Sequence, residues 1–283
     1  MTGDTRHAIA RRIAMRAAGL WQIDWVTRRP DGDDTGAADL VLDIGLVGPL
    51  APADRASLPG PDTPADWIEA ASPPSRRTAI VEQTGAWRDA FTGHSVICHA
   101  VDRNRHRLTL AAILDGDPPP PRPPEGGTTP AARMASATHL YDRDGWYHRT
   151  LYEAAKTGPD DVIASRITRT LGHRLNAPGI GLIDHLCRLS RKGQRDTAVL
   201  VAGSISHAAL DALLARARVW HPGDTARALA ILDDRDPELA RAMRPLIETL
   251  APSHCIVADP ESLISAGQEI GRLIDLLPST PMS

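Results

Sequence analysis

A proline-rich segment near the middle of the chain constrains the fold more than any other feature of the sequence. It occupies residues 115–130 and places six prolines within residues 118–124. Proline has a fixed φ and no backbone N–H, so such a run can continue neither a helix nor a central strand. We therefore predict a stiff, extended spacer that ends in a flexible pair of glycines, Gly126 and Gly127.

The spacer suggests how the 283 residues are divided, because a chain of this length suits one large or two modest domains. We predict an N-terminal α+β domain or half over residues 1–115 and a C-terminal α/β domain over residues 136–283. Residues 116–135 are expected to form the linker or a long loop between them.

The N-terminal part has the sequence patterns of strands paired in antiparallel hairpins. Residues 21–26 alternate apolar and polar side chains and residues 40–47 are mainly apolar, which predicts one hairpin. Residues 95–101 and 107–114 are also strand-like and predict a second hairpin. Helices are expected at residues 5–18, 65–71 and 78–90.

The C-terminal part favours a small parallel sheet flanked by helices, in a Rossmann-like, three-layer arrangement. Residues 197–202 are apolar and precede Gly203 and a helical pattern, and residues 254–258 precede a second helical pattern. Strands that alternate with helices of this length are typical of parallel α/β sheets. The fold class predicted for the whole chain is therefore α/β.

The ends of these two expected strands carry the candidate site. Ligands of parallel sheets bind at the carboxyl edge, where helix N-termini stabilise anions. We predict catalytic roles for His207 and Asp259, with ligand-binding roles for the neighbouring Ser204, Ser206, Glu261 and Ser262. The alternative is structural, because Ser and Asp at such junctions commonly cap the following helix.

No motif in the sequence names a reaction or a cofactor. The glycine-rich signatures of phosphate-binding loops and the serine nucleophile elbow are both missing. The three cysteines, Cys98, Cys187 and Cys255, are far apart, which argues against a disulfide framework and a structural zinc site. Whether the protein is an enzyme is therefore left open.

Two functions fit these patterns. The first is the binding of an anionic small molecule, a nucleotide or a phosphorylated metabolite, at the C-terminal edge. The second is that of a non-catalytic subunit or adaptor. It would hold a protein partner through the proline-rich segment and an aromatic patch at residues 141–148. The rings of that patch would equally suit a seam between the two halves.

Charge and hydropathy limit the partners and the cellular location that we expect for the protein. The net charge is −3, and the basic residues at positions 103–107 lack the interleaved aromatic residues that stack on bases, so we expect no nucleic-acid partner. No run of about 18 apolar residues predicts a membrane span. With no secretory signal pattern and few cysteines, we expect a cytoplasmic protein.

Overall fold

The computed structural model describes residues 3–30, 38–60, 63–70, 82–121, 125–250 and 259–276. The chain forms two compact units. Unit 1 comprises Met1–Leu108 and Ser136–Glu153, and unit 2 comprises Thr109–Ala135 and Ala154–Ser283. The division into separate domains at residues 1–115 and 136–283 stays a prediction.

Unit 1 is built on a mixed six-stranded sheet with the order β3-β4-β5-β2-β1-β6. β2 and β5 are parallel, and every other neighbouring pair is antiparallel. The strands are β1 (Ile23–Arg28), β2 (Leu40–Leu46), β3 (Ala65–Ala70), β4 (Glu82–Arg88), β5 (Ser95–Asp102) and β6 (Thr138–Asp142). The remaining elements are α1 (Gly3–Ala18), α2 (Pro52–Ser57), the first turns of α3 (Arg103–Leu114) and a π-helical turn (His148–Tyr152).

One face of this sheet is an apolar core that packs against α1. Ile9 and Ile13 of α1 are buried together with Val26, Ile44 and other strand residues. The alternation of side chains in a strand places the neighbours of these residues on the other face. The sheet therefore has one apolar face and one face on which polar residues are placed.

Several expected elements of unit 1 are confirmed, and others are wrong. The hairpin of residues 21–26 and 40–47 is β1–β2. Residues 65–70 and 82–88 are strands, not helices, and they pair with each other. Residues 107–114 are helical, because Leu110 and Ile113 recur at helical spacing and are both buried.

Unit 2 is helical, with α8 at its centre in contact with α6, α7, α9 and α11. Asp160, Asp224 and Asp236 accept backbone N–H bonds at the starts of α6, α9 and α10, which explains where these helices begin. The helices of this part are α4 (Thr129–Ser136), α5 (Glu153–Lys156), α6 (Asp161–Asn176), α7 (Leu182–Arg191), α8 (Arg195–Arg216), α9 (Thr225–Arg235), α10 (Pro237–Thr249) and α11 (Pro260–Leu276).

The strand predicted at residues 197–202 is wrong, because these residues belong to α8. A helix that is surrounded by other helices is apolar on most sides, so its sequence lacks the helical period and resembles a buried strand. The second expected strand, residues 254–258, lies outside the described residues. The C-terminal parallel sheet and its Rossmann-like layers are therefore not confirmed, and the fold is a mixed α/β one.

By length and hydropathy alone, α8 would be long enough to cross a membrane. However, 83% of its apolar window is buried inside the protein. Core helices of soluble proteins can have the same length and hydropathy, so α8 is weak evidence for a membrane span.

The described part of the proline-rich segment packs along α6 in unit 2. Arg174 donates to the carbonyl of Pro118 and forms an ion pair with Asp117 at 2.6 Å. The Thr170 hydroxyl donates to the carbonyl of Gly116 at 3.3 Å. These bonds fix the path of the chain as it enters the run of prolines.

Candidate functional site

Three of the predicted site residues lie within α8. Ser206 and His207 are each 4% exposed, in the middle of the helix. Ser204 is half-buried, and its hydroxyl donates to the carbonyl of Leu200 at 3.0 Å. Because these residues are helical, the strand–turn–helix geometry on which their ligand-binding role was based is absent.

The other three predicted residues lie at the N-terminus of α11. The exposed carboxylate of Asp259 accepts the backbone N–H groups of Glu261 and Ser262 at 3.0 and 2.9 Å. The Ser262 hydroxyl donates to the same carboxylate and, with these N–H groups, lowers the pKa of Asp259. These contacts match the capping alternative.

Asp259 and Glu261 also line an open groove of about 630 Å³ with Ser190 and Arg191. His207 is not among the residues that line it. The structure thus brings together part of the predicted set, and the roles assigned to these residues stay predictions.

A more extensive polar constellation lies in unit 1, on the sheet face opposite the apolar core. The strand registers pair His139 with Thr27, Thr27 with Asp43, Asp43 with His99, and His99 with Thr84. Residues that are directly paired project from the same face. Five adjacent strands therefore contribute one row of polar side chains, which we call the polar row.

Asp43 stands at the centre of the polar row and is ionised. Arg29 donates two hydrogen bonds to its carboxylate, both at 2.8 Å. Burial acts to raise the pKa of Asp43, but the bonds and charge of Arg29, with His99 and His106, hold it below its ordinary value. The row thus carries a neutralised ion pair in a half-buried setting.

Aromatic rings cover one end of the polar face. Trp25 is paired with Gly45 across β1 and β2. Its ring stacks on Tyr147 at 4.2 Å and lies 5.2 Å from the ring of His106. A Cβ atom on Gly45 would lie 2.1 Å from Nε1 of Trp25, so only glycine leaves room for the indole.

His106 and Tyr147 form a neutral pair beside this indole. Nε2 of His106 lies 3.3 Å from the Tyr147 hydroxyl. Burial lowers the pKa of His106 to about 4, and it raises the pKa of Tyr147 above its ordinary value. At neutral pH the imidazole and the phenol therefore act as hydrogen-bonding groups without charge.

The Trp25 indole N–H has no acceptor among the described residues, although the residue is only 1% exposed. An indole nitrogen can only donate, and neither His106 nor Tyr147 accepts from it. Leaving a buried donor unpaired costs about 1–3 kcal/mol, and each such group in a native protein calls for an explanation.

His99 is the half-buried imidazole next to Asp43, and its Nδ1 lies 3.3 Å from the Thr84 hydroxyl. Its sequence neighbour Cys98 points into the apolar core, as strand alternation predicts for residues 98 and 99. Burial raises the pKa of the Cys98 thiol, which leaves it unreactive. Within the described ranges, no group of three or more His, Cys, Asp or Glu residues has the arrangement of a metal site.

The aromatic patch at residues 141–148 divides between the two faces of the sheet. Tyr147 is 3% exposed and stacks on Trp25. Tyr141 packs against the apolar core instead, and Arg107 lies 5.0 Å from the ring of Trp146. Tyr147 and Tyr141 therefore face the interior of unit 1.

Sequence reasoning missed the polar row, although one signal was present. Asp43 is the one charged residue in the otherwise apolar stretch of residues 40–47, and Gly45 follows two positions later. A charge within a buried strand requires a partner. The partner, Arg29, directly follows β1 and is 14 residues away in sequence.

The chain matches no protein-family model, and a search of curated proteins finds no relative. The functional argument therefore depends on the geometry of the molecule itself.

Proposed function

We propose that unit 1 binds a small anionic molecule, a nucleotide or a phosphorylated metabolite, on the polar face of its sheet beside Trp25. The observation that carries the proposal is a buried donor: the indole N–H of Trp25 has no acceptor among the described residues. The carboxylate of Asp43 accepts two bonds from Arg29 instead.

A phosphate or carboxylate would supply the acceptor that the Trp25 indole N–H lacks among the described residues. The neutral His106 and the Tyr147 hydroxyl lie against the indole and can also donate to an anion. Asp43 would repel an anion if it were alone, but its charge is balanced by the bidentate ion pair with Arg29. Its role in the proposal is to hold Arg29 in place.

The ligand class expected from the sequence is thus kept, while its proposed location moves from α8 and α11 to the sheet of unit 1. A reducing, cytoplasmic setting belongs to the same proposal. It is supported by Cys98 and Cys187, which are free and buried. A protein partner held by residues 141–148 or by the proline-rich segment stays a prediction.

Thermal shift and calorimetry on the full chain test the proposal with nucleoside mono-, di- and triphosphates, hexose phosphates and inorganic phosphate as probes. A probe at 100 times its Kd is expected to stabilise the protein by about 2.7 kcal/mol. Trp25→Phe keeps an aromatic ring at this position and removes the indole N–H, so we expect it to weaken binding by about tenfold or more.

Trp67→Phe is the matched control. The Trp67 indole N–H also lacks an acceptor among the described residues, but its pairing with Gly85, the neighbour of Cys98, places it on the opposite face. Binding by Trp67→Phe is expected to equal that of the wild type. The proposal fails if no probe shifts the unfolding midpoint, or if the two Trp→Phe variants lose affinity equally.

A further inference from the structure

A second cluster of titratable groups lies in unit 2, around a buried carboxylate that has no Arg or Lys partner among the described residues. Asp211 of α8 is 0% exposed and accepts the backbone N–H of Gly127 at 2.6 Å and that of Thr128 at 3.1 Å. The Thr128 hydroxyl donates to the same carboxylate at 2.6 Å. Asp211 thus ties the turn at residues 126–129 to α8.

The two glycines of this turn are packed, although the sequence predicts them to be flexible. A Cβ atom on Gly126 would lie 2.7 Å from Oδ1 of Asp211, and one on Gly127 would lie 2.3 Å from the carbonyl oxygen of Pro119. Glycine is therefore needed at both positions, so that the turn can approach Asp211 and Pro119 this closely. The turn therefore joins the proline-rich segment to α8 through Asp211.

A pair of buried histidines continues the network. The backbone N–H of His221 donates to the Thr128 hydroxyl at 3.0 Å, and Nδ1 of His221 accepts the N–H of Gly223 at 3.0 Å. Because Nδ1 accepts, the proton of the neutral ring is on Nε2. That nitrogen lies 3.3 Å from Nδ1 of His207, to which it donates.

This chain of bonds is complete only when both rings are neutral. A proton added to Nδ1 of His207 would face the N–H of His221. A proton added to Nδ1 of His221 would face the N–H of Gly223. Either proton sets two donors against each other in a buried site, which breaks one of the bonds.

We propose that this cluster is a pH-sensitive latch, which holds residues 126–129 against α8 at neutral pH and releases them on acidification. The latch is independent of the ligand site proposed for unit 1.

The charged groups that face the two imidazoles come from several elements. Asp211 lies one helical turn from His207 on α8, and Asp224 at the start of α9 acts on His221. Glu125, which is ion-paired with Arg133 of α4, acts on both rings. These carboxylates favour the protonated rings, but burial is the larger effect.

Burial lowers the pKa of His207 and of His221 to about 4, against an ordinary value of 6.5. The released rings bind protons more readily than the latched ones, so the latch weakens as pH falls through this interval. Burial raises the pKa of Asp211 to about 6, which acts in the opposite direction. Protonation of the two imidazoles weakens the latch more than protonation of the one carboxyl strengthens it. The net effect of acidification is therefore release of the turn.

Amide hydrogen exchange on the full chain, corrected for the intrinsic pH dependence of exchange, tests the latch. Between about pH 7 and about pH 5, protection of residues 126–129 should fall about tenfold or more, while the centre of α11 keeps its protection. The variant His207→Asn/His221→Gln replaces both rings with non-titrating amides. It should keep its protection at both pH values.

The proposal is overturned if wild-type protection of this turn is the same at both pH values, or if the double variant loses it as the wild type does. Should the double variant not fold, NMR titration of the wild-type imidazoles decides. Rings that titrate at the pH of turn opening support the latch. Rings that stay neutral while the turn opens refute it.

Discussion

Asp43 and Asp211 are both enclosed carboxylates, but they are stabilised in different ways. Asp43 has a guanidinium partner and lies half-buried on a sheet face, and its pKa is held below the ordinary value. Asp211 is fully buried and has no Arg or Lys partner among the described residues, and it accepts bonds from N–H and O–H donors. Burial is the dominant effect there and raises its pKa to about 6.

The difference lies in what each carboxylate bonds. The carboxylate of Asp43 is paired with a guanidinium on a half-buried sheet face. The bonds of Asp211 are directed at the backbone and hydroxyl of one turn, which is the geometry of a tertiary tie. The two carboxylates therefore predict opposite responses to pH.

The largest effect is expected for Asp211→Ala. Truncation leaves the N–H groups of Gly127 and Thr128 and the Thr128 hydroxyl without their acceptor in a buried site. We expect a loss of about 3 kcal/mol in the free energy of unfolding, measured by chemical denaturation. Asp211→Asn keeps one acceptor oxygen and should lose less. Equal losses for the two variants would contradict the role of the bonds.

A smaller effect is expected for Gly45→Ala. The added Cβ atom would overlap the Trp25 indole, and overpacking of this kind costs about 1–3 kcal/mol. Gly48→Ala is the control, because a Cβ atom there meets nothing within 4 Å. Thermal unfolding of both variants checks this. If they unfold at the same temperature, Trp25 is not held against Gly45.

The smallest effect is expected for Asp43→Asn, and the pH dependence of its free energy of unfolding tests the prediction. The amide still accepts from Arg29 but without charge, so we expect a loss of about 1 kcal/mol at neutral pH. Because the pKa of Asp43 is lowered, its contribution is present above 3.8 and is lost as pH falls below that value. The wild type and the variant should therefore converge in acid.

Asp66→Asn, at an exposed position on β3, is the control for the loss of a surface carboxylate, and its free energy of unfolding at neutral pH should match that of the wild type. Asp211→Asn should show the reverse trend to Asp43→Asn. The raised pKa of Asp211 means that the wild type loses stability as pH rises from 3.8 towards about 6, a loss that the amide escapes. If the free energies of unfolding of the two Asn variants, relative to the wild type, changed with pH in the same direction, the proposed difference between the two carboxylates would be wrong.

Local signals predicted much of the secondary structure. The β1–β2 hairpin follows from the alternation of residues 21–26, and α1 follows from the helical pattern of residues 5–18. The expectations failed where an element is buried on most sides. Residues 197–202 show this, because apolar character without a period does not distinguish a strand from the core helix α8.

The candidate sites were less accessible to sequence reasoning than the elements that carry them. Thr27, Asp43, Thr84, His99 and His139 are distant in sequence and meet only through strand register. His207 and His221 are 14 residues apart, and their relation depends on the turn after α8. Of the predicted set, the structure shows Asp259 and Ser262 in the capping contacts that were the stated alternative.

The sequence by itself determined the helix caps and the first hairpin, because backbone conformation and side-chain alternation depend on neighbouring residues. Tertiary structure alone decided which carboxylate meets a cation and which meets only neutral donors. Pairing and burial depend on elements brought together from distant parts of the chain, and those set the solvation and hydrogen bonding of Asp43 and Asp211.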